Sequence, residues 1–146
     1  MNKTETIESV LATEGVFVST TSGYSMYPML RDRKDTVILK APETGLKKGD
    51  VVLYKSNGTY ILHRILEVRE DSFVIRGDNC DDKEYGITKE QILGVLTEFY
   101  RGNKQIHLNN WNYRWYCNFL FVWRICRKVK RTAGKIWRAL TRRKSK

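Results

Sequence analysis

The chain has 146 residues, of which 41% are hydrophobic, and this suits one globular domain with an appendage. The net charge of +11 is concentrated at one end, because residues 101–146 hold 14 of the 27 Lys and Arg and none of the 16 Asp and Glu. Three cysteines without metal-ligand spacing argue against a disulfide framework and a zinc module, and acids near the N-terminus argue against a secretory signal. We therefore expect a cytoplasmic protein with no metal and no organic cofactor.

Residues 5–14 carry apolar side chains at helical spacing and predict a short helix that ends near Gly15. From residue 16 onwards, short β-branched or aromatic segments are separated by Gly, Asp, Asn and Pro at roughly ten-residue intervals, a pattern typical of an antiparallel β domain. Asn57-Gly58 predicts a tight hairpin turn, and residues 88–93 predict one helical turn. We predict strands at residues 16–18, 36–39, 50–54, 60–68, 72–76 and 94–100.

The prediction is thus a mainly β fold, in which residues 1–100 form a compact antiparallel β domain with a short N-terminal helix. Residues 101–146 are predicted to form a basic, Trp- and Arg-rich amphipathic helical tail. The most apolar piece of the tail, residues 115–126, is much shorter than the roughly 20 apolar residues of a membrane span, so we expect no crossing. The apolar residues of the tail follow one another at steps of three or four: Trp111, Trp115, Phe119, Val122, Cys126, Val129, Ala133, Ile136 and Leu140.

Two interpretations of the tail stay open at this point. In the first, residues 111–146 bind an anionic membrane surface, since basic residues and tryptophans both suit the lipid interface, and the protein is then peripheral at the cytoplasmic membrane face. Alternatively, the apolar stripe packs on the β domain and leaves a solvated basic face. Nucleic acid is a less favoured partner, and nothing in the sequence indicates the oligomeric state.

A serine, a histidine and a group of carboxylates occur in that order, and a serine hydrolase needs all three. Ser25 follows Gly23, which permits close backbone approach, and precedes Tyr27-Pro28, which keeps the chain extended. This geometry leaves room for a substrate strand beside the Ser25 segment, with the backbone N–H of Ser25 as donor to the oxyanion. The alternative is an ordinary serine in a surface turn.

His63 lies in an apolar predicted strand beside Arg64, and the burial of such a pair is costly, so a catalytic base and a structural histidine are equally supported. Asp78, Asp81 and Asp82 follow the next predicted strand. One of them is a candidate to orient the histidine, although acidic turns are common and the spacing is not that of a calcium loop.

These segments together resemble the type I signal peptidases and their LexA-like relatives. The resemblance rests on Ser25-Met26-x-Pro28, on His63-Arg64 and on Gly77-Asp78-Asn79 with a nearby Asp-Asp pair, and it covers about residues 16–100. A histidine in the base position is similar to the endoplasmic-reticulum type, whereas most bacterial signal peptidases and LexA-type proteases place a lysine there. The layout looks most like the small stand-alone bacterial peptidases of this clan.

The resemblance implies that Ser25 is the nucleophile, that His63 is the general base and that Asp82 orients His63, with Asp81 and Asp78 as alternatives. The implied activity is that of a serine endopeptidase, which cleaves an extended peptide or protein substrate through an acyl-enzyme.

Two other functions remain in view. One is a non-catalytic or weakly active binding module that uses the basic tail for anionic lipid or nucleic acid. The other is a LexA-like self-cleaving regulator. Such proteins usually carry a helix-turn-helix domain and a scissile Ala-Gly before the nucleophile. This function is disfavoured because only fifteen residues precede Val16 and the sole Ala-Gly pair is Ala133-Gly134 in the tail.

Overall fold

A computed structural model of the protein describes residues 6–42, 45–109 and 111–143. The elements in chain order are helix α1 (Ile7–Glu14), strands β1 (Val16–Thr20), β2 (Asp35–Lys40), β3 (Val51–Ser56), β4 (Thr59–Val68), β5 (Phe73–Arg76) and β6 (Glu84–Ile87), a 3-10 turn (Lys89–Gln91), strands β7 (Ile92–Arg101) and β8 (Lys104–His107), and helix α2 (Trp111–Arg143).

Helix α1 has a signal for its start and another for its end. The hydroxyl of Thr6 accepts from the N–H of Ser9, the hydroxyl of Ser9 accepts from the N–H of Thr6, and Gly15 ends the helix in the left-handed region with φ 70°. The predicted N-terminal helix is confirmed, while residue 5, its first predicted member, lies outside the described residues.

The eight described strands form one antiparallel sheet in the order β1-β2-β7-β3-β4-β5-β6, and β8 pairs with β7. The hairpin between β3 and β4 turns at Asn57 and Gly58, whose φ values of 49° and 76° are those of the tight turn predicted for Asn-Gly. The predicted mainly β fold is therefore confirmed. β1 and β6 lie at the two ends of the strand order.

The register of the central strands brings three polar side chains to one face. Residues directly opposite in an antiparallel pair share a face, and so do residues two apart along a strand. Tyr54 on β3 lies diagonally from His63 on β4, and Ile75 on β5 is opposite both Ile65 of β4 and Glu84 of β6. One apolar cluster of the core lies on this face: Val52, Tyr54, Ile65, Phe73, Ile75, Ile87 and Ile92 are all buried there.

The β-rich unit extends past residue 100, where we predict its end. β7 continues to Arg101, and after a turn with Gly102 at φ 61° the chain returns as β8, which pairs with the last residues of β7. The division into two compact units falls before Trp111.

The second unit consists of α2, a 33-residue helix that begins at Trp111. In the part of the chain that the structure describes, no helix has both the length and the apolar character to cross a membrane. Residues 144–146 of the predicted tail lie outside the described residues.

Candidate active site

Ser25 lies in the connection between β1 and β2, which is a series of turns held down by buried side chains. The side chains of Met26, Met29 and Leu30 are each at most 4% exposed, and their burial fixes this segment on the domain. Ser25 itself is half-buried. The N–H of Gly23 donates to Asp32 Oδ1 at 2.7 Å and closes the loop ahead of the serine. The peptide bond before Pro28 is cis. The serine thus stands on an anchored turn.

His63 is buried, and its ring has a specific partner on one side. Nδ1 of His63 lies 2.8 Å from Oε1 of Glu84 and 3.2 Å from the hydroxyl of Tyr54. An ionised carboxylate can only accept, so Nδ1 carries the ring proton and donates it to Glu84. In the neutral imidazole with this tautomer, the lone pair lies on Nε2, which is then the ring atom that can accept a proton.

Tyr54 holds the other oxygen of the same carboxylate. Its hydroxyl donates to Glu84 Oε2 at 2.6 Å, so the two oxygens of Glu84 serve two different donors. Burial and the bond to Glu84 raise the pKa of Tyr54 far above its ordinary value, which keeps the hydroxyl protonated as a donor. The carboxylate of Glu84 is therefore fixed at both ends while remaining partly exposed.

Gly77 is the point at which the histidine and the serine segment meet. A Cβ atom on Gly77 would lie 2.9 Å from Nε2 of His63, 2.7 Å from the carbonyl oxygen of Ser25 and 2.7 Å from Sγ of Cys80. Only glycine fits between these groups, since real Cβ contacts are longer than this. The Nε2 side of the imidazole therefore faces the backbone of Ser25, and only Gly77 lies between them.

The turn after β5 also binds the serine segment directly. The N–H of Asn79 donates to the carbonyl of Ser25 at 2.7 Å, and Nδ2 of Asn79 donates to the carbonyl of Tyr24 at 3.0 Å. Next to it, Asp78 is buried and accepts two hydrogen bonds from Arg64, at 2.8 and 2.7 Å. Arg64, the neighbour of His63 on β4, is thus bonded to the same turn that binds the backbone of Ser25.

Ser25 and His63 open onto the same cleft, which has a volume of about 400 Å³. One wall comes from the edge strand β1, with Phe17 and Ser19, and its floor is largely apolar, with Leu39 and Leu53 among its members. A concave apolar site with a few polar groups at one end is the usual form of a ligand-binding site.

Ser25 and His63 line the same cleft, and the carboxylate that bonds to the histidine is that of Glu84. From the sequence, Asp82 is proposed for this position, with Asp81 and Asp78 as alternatives, whereas the structure has Glu84 there. Asp78 is paired with Arg64, and both Asp81 and Asp82 are exposed in the turn between β5 and β6. β6 begins two residues after Asp82, and its pairing with β5 turns its first residue, Glu84, towards the face that carries His63.

Glu84 and Tyr54 are the site residues that the sequence analysis missed. The available signals were weak. Glu84 begins the short alternating segment Glu84-Tyr85-Gly86-Ile87, and Tyr54 is a polar-tipped aromatic residue in an otherwise apolar strand. Within the described ranges, no group of three or more His, Cys, Asp or Glu side chains is arranged to hold a metal ion.

The sheet, its helix and this cleft define the class of the protein: it has the fold of the signal-peptidase and LexA-like serine peptidases. Residues 2–97 match the Peptidase S24-like family, and the chain belongs to that family. Among curated proteins, none matches the chain significantly. Membership in this family suggests a peptidase, and the resemblance stated from the motifs is confirmed at the level of the clan.

Proposed function

We propose that the protein is a serine endopeptidase in which Ser25 is the nucleophile and His63 is the general base. The arrangement that supports this function is the imidazole of His63, bonded to Glu84 through Nδ1, with Nε2 towards Gly77 and the backbone of Ser25. Glu84 takes the part of the orienting carboxylate. Because it accepts the Nδ1 proton, it selects the tautomer in which Nε2 is basic, and it stabilises the imidazolium that forms during attack.

The reaction proceeds by two acyl transfers. Oγ of Ser25 forms a bond to the carbonyl carbon of the substrate while its proton passes to Nε2 of His63, and the carbonyl π electrons move to oxygen. The tetrahedral intermediate then expels the amine, which takes the proton from Nε2, and leaves an ester on Ser25. Water attacks this ester with His63 again as base, and the acid product leaves as Oγ recovers its proton. The N–H of Ser25 is the proposed donor to the oxyanion.

The substrate is an extended peptide segment. β1 is an end strand of the sheet and its residues Phe17 and Ser19 line the cleft, so a peptide can add to its open edge by backbone hydrogen bonds. The backbone bonds would supply affinity, and the apolar floor near Leu39 and Leu53 would receive a side chain. A substrate strand along β1 would carry its carbonyl past Ser25 to the serine hydroxyl.

Self-cleavage is not favoured over action on another chain. The sole Ala-Gly pair, Ala133-Gly134, lies inside α2. A peptidase of this kind binds its substrate extended, so this bond would be cleaved only after the helix unwinds.

The test is cleavage of a peptide library by the full chain, read by mass spectrometry, together with intact-mass detection of a fluorophosphonate adduct. We expect cleavage and one adduct on the wild type, and loss of both in Ser25→Ala and His63→Ala. Ser72→Ala, which removes a serine hydroxyl next to β5, is the matched control and keeps full activity. Cleavage that persists in Ser25→Ala, or none by folded wild type with and without anionic vesicles, would overturn the assignment.

A further inference from the structure

Helix α2 presents a continuous row of exposed apolar side chains. Six of them are between 49% and 65% exposed, and consecutive members are three or four residues apart, which keeps them on one side of a helix. We call this row the aromatic stripe: Trp111, Trp115, Phe119, Val122, Ile125 and Val129. A contiguous row of exposed apolar side chains of this extent on the surface of a helix marks a site of interaction.

The rest of α2 is basic. Residues 111–143 contain ten Lys and Arg and no Asp or Glu. At about 3.6 residues per turn, Arg124, Arg127 and Arg131 fall on the side of the helix opposite Trp111 and Val129. An apolar row with aromatic members on one side and cations on the others distinguishes a helix that lies in a lipid interface.

The composition of the two faces favours one partner. A nucleic acid would engage the cations but would leave six apolar side chains in water, whereas an anionic bilayer takes up both sets. Tryptophan is particularly suited to the headgroup level, where one part of the ring is apolar and the N–H is wet. The helix is too polar to cross, and no spanning helix occurs among the described residues.

We propose that α2 docks the protein on an anionic lipid bilayer. The helix lies in the plane of the surface with the aromatic stripe among the acyl-chain boundaries and the Lys and Arg side chains against the anionic headgroups. This binding is independent of the peptidase chemistry, since it uses no residue of the cleft.

The experiment is co-sedimentation of the full chain with vesicles of phosphatidylcholine alone, or of phosphatidylcholine and phosphatidylglycerol in equal parts, with tryptophan fluorescence as a second reading. We expect binding to the anionic vesicles at least about tenfold tighter than to the neutral ones, with a blue shift of the emission. Trp115→Gln with Phe119→Gln removes part of the stripe, and we expect it to weaken binding at least about tenfold.

Two matched controls separate the contributions of the faces. Tyr85→Gln removes an aromatic residue of similar exposure from β6 and leaves vesicle binding unchanged. Lys128→Gln with Lys130→Gln keeps the stripe but removes two exposed charges on the flanks of the stripe, and it should reduce the preference for anionic vesicles. Ser25→Ala binds like the wild type, so a failed peptidase assignment would not affect this result.

Three outcomes would overturn membrane docking. The first is absence of binding to anionic vesicles by protein whose helicity by circular dichroism is intact. The second is equal binding by the stripe variant, which would reduce the interaction to charge alone. The third is tighter binding to a DNA duplex than to vesicles at physiological salt, unaffected by the stripe variant, which would assign the basic face to nucleic acid.

Discussion

Arg64 and Asp78 form a buried ion pair in which Nε and Nη2 of the guanidinium donate to the two carboxylate oxygens at 2.8 and 2.7 Å. The same guanidinium donates through Nη1 to the carbonyl of Gly49 at 2.9 Å, so it connects β4 with the loop before β3 and with the turn after β5. Because Arg64 follows His63 on β4 and Asp78 precedes Asn79, the pair ties the strand of the proposed base to the turn that binds Ser25.

Arg64→Met should therefore be strongly destabilising. It leaves the carboxylate of Asp78 buried without its cation, and the loss of one partner of a buried pair costs about 3–5 kcal/mol. Urea unfolding gives the difference in free energy. The control is Arg69→Met, which breaks an exposed pair with Glu67 and should cost less than about 1 kcal/mol. Equal effects of the two variants would show that the burial of the Arg64 pair has no energetic weight.

Glu84→Gln tests which carboxylate serves the histidine. The amide cannot act as an anion for Nδ1–H, so the basic tautomer and the imidazolium both lose their stabilisation. We expect kcat to fall by a factor on the order of 100 to 10,000. Asp82→Asn is the matched control two residues away, and it should retain activity because its side chain is exposed in the turn. The opposite pattern, a silent Glu84→Gln and an inactive Asp82→Asn, would restore the assignment made from the motif.

Tyr54→Phe removes the hydroxyl that holds the second oxygen of Glu84. Water can reach this partly exposed carboxylate, so we expect a fall in kcat of only about tenfold, with little change in KM. Tyr85→Phe, on the exposed side of β6, is the control and should be neutral. A purely structural role for Tyr54 would instead lower the unfolding midpoint and leave the kcat of the folded protein intact.

Gly77→Ala should abolish the proposed peptidase activity, because the added Cβ displaces the groups of the candidate site. The added Cβ would lie 2.7 Å from a backbone oxygen of Ser25, and a shift of about 1 Å at a reacting group can cost on the order of 100-fold in rate. Gly102→Ala is a matched control outside the cleft lining, since its φ of 61° strains any side chain while the added Cβ would meet nothing within 4 Å. We expect it to reduce stability without changing the specific activity of folded protein. Specific activity and thermal midpoint are measured for both variants.

Acid should destabilise the protein through Asp35. Burial would raise the pKa of this carboxyl, but hydrogen bonds from the side chain and backbone of Arg31 and the charge of Arg101 hold the pKa below its usual value. A group with a lowered folded pKa stabilises fully above its unfolded pKa, near 3.9, and loses that contribution as pH falls towards the folded value. Glu8 adds to the same slope, since bonds from Lys55 and Tyr60 lower its pKa to about 2.

Thermal unfolding midpoints between about pH 7 and pH 3 test this. We expect the thermal midpoint of the wild type to decrease as the pH is lowered past about 5. Asp35→Asn should have a lower thermal midpoint at neutral pH and a smaller decrease on acidification. An equally steep decline in Asp35→Asn would mean that other carboxyls control acid unfolding.

The sequence allowed the helix and most strands to be predicted, and it singled out two residues that line the cleft, because each had a local signal. Ser25 and His63 belong to ordered motifs, and Asn57-Gly58 gave the hairpin. β8 was missed, although Gly102-Asn103 between two polar-apolar segments is a turn signal of the same kind. Its pairing with β7 is the reason that the β-rich unit ends later than residue 100.

The orienting carboxylate had no comparable signal. Four acids follow Gly77 within seven residues, and which one reaches β4 depends on the pairing of β5 with β6. That pairing contains a register shift between Phe73 and Ile75, and a shift of one residue turns a side chain to the other face. The contact between Tyr54 and His63 likewise depends on the register of β3 with β4, which places Tyr54 diagonally from His63. Long-range register of this kind is not encoded in local sequence pattern.

The proposed pairing of a peptide with β1, an end strand among the described strands, has a consequence for turnover. Backbone hydrogen bonds to an edge strand do not discriminate between a substrate and the fragment that retains the same residues after cleavage. The acid fragment keeps the segment that pairs with β1 and differs from the substrate only beyond the cut. Product inhibition should therefore be competitive, and release of the acid fragment would limit the rate once the acyl-enzyme has been hydrolysed.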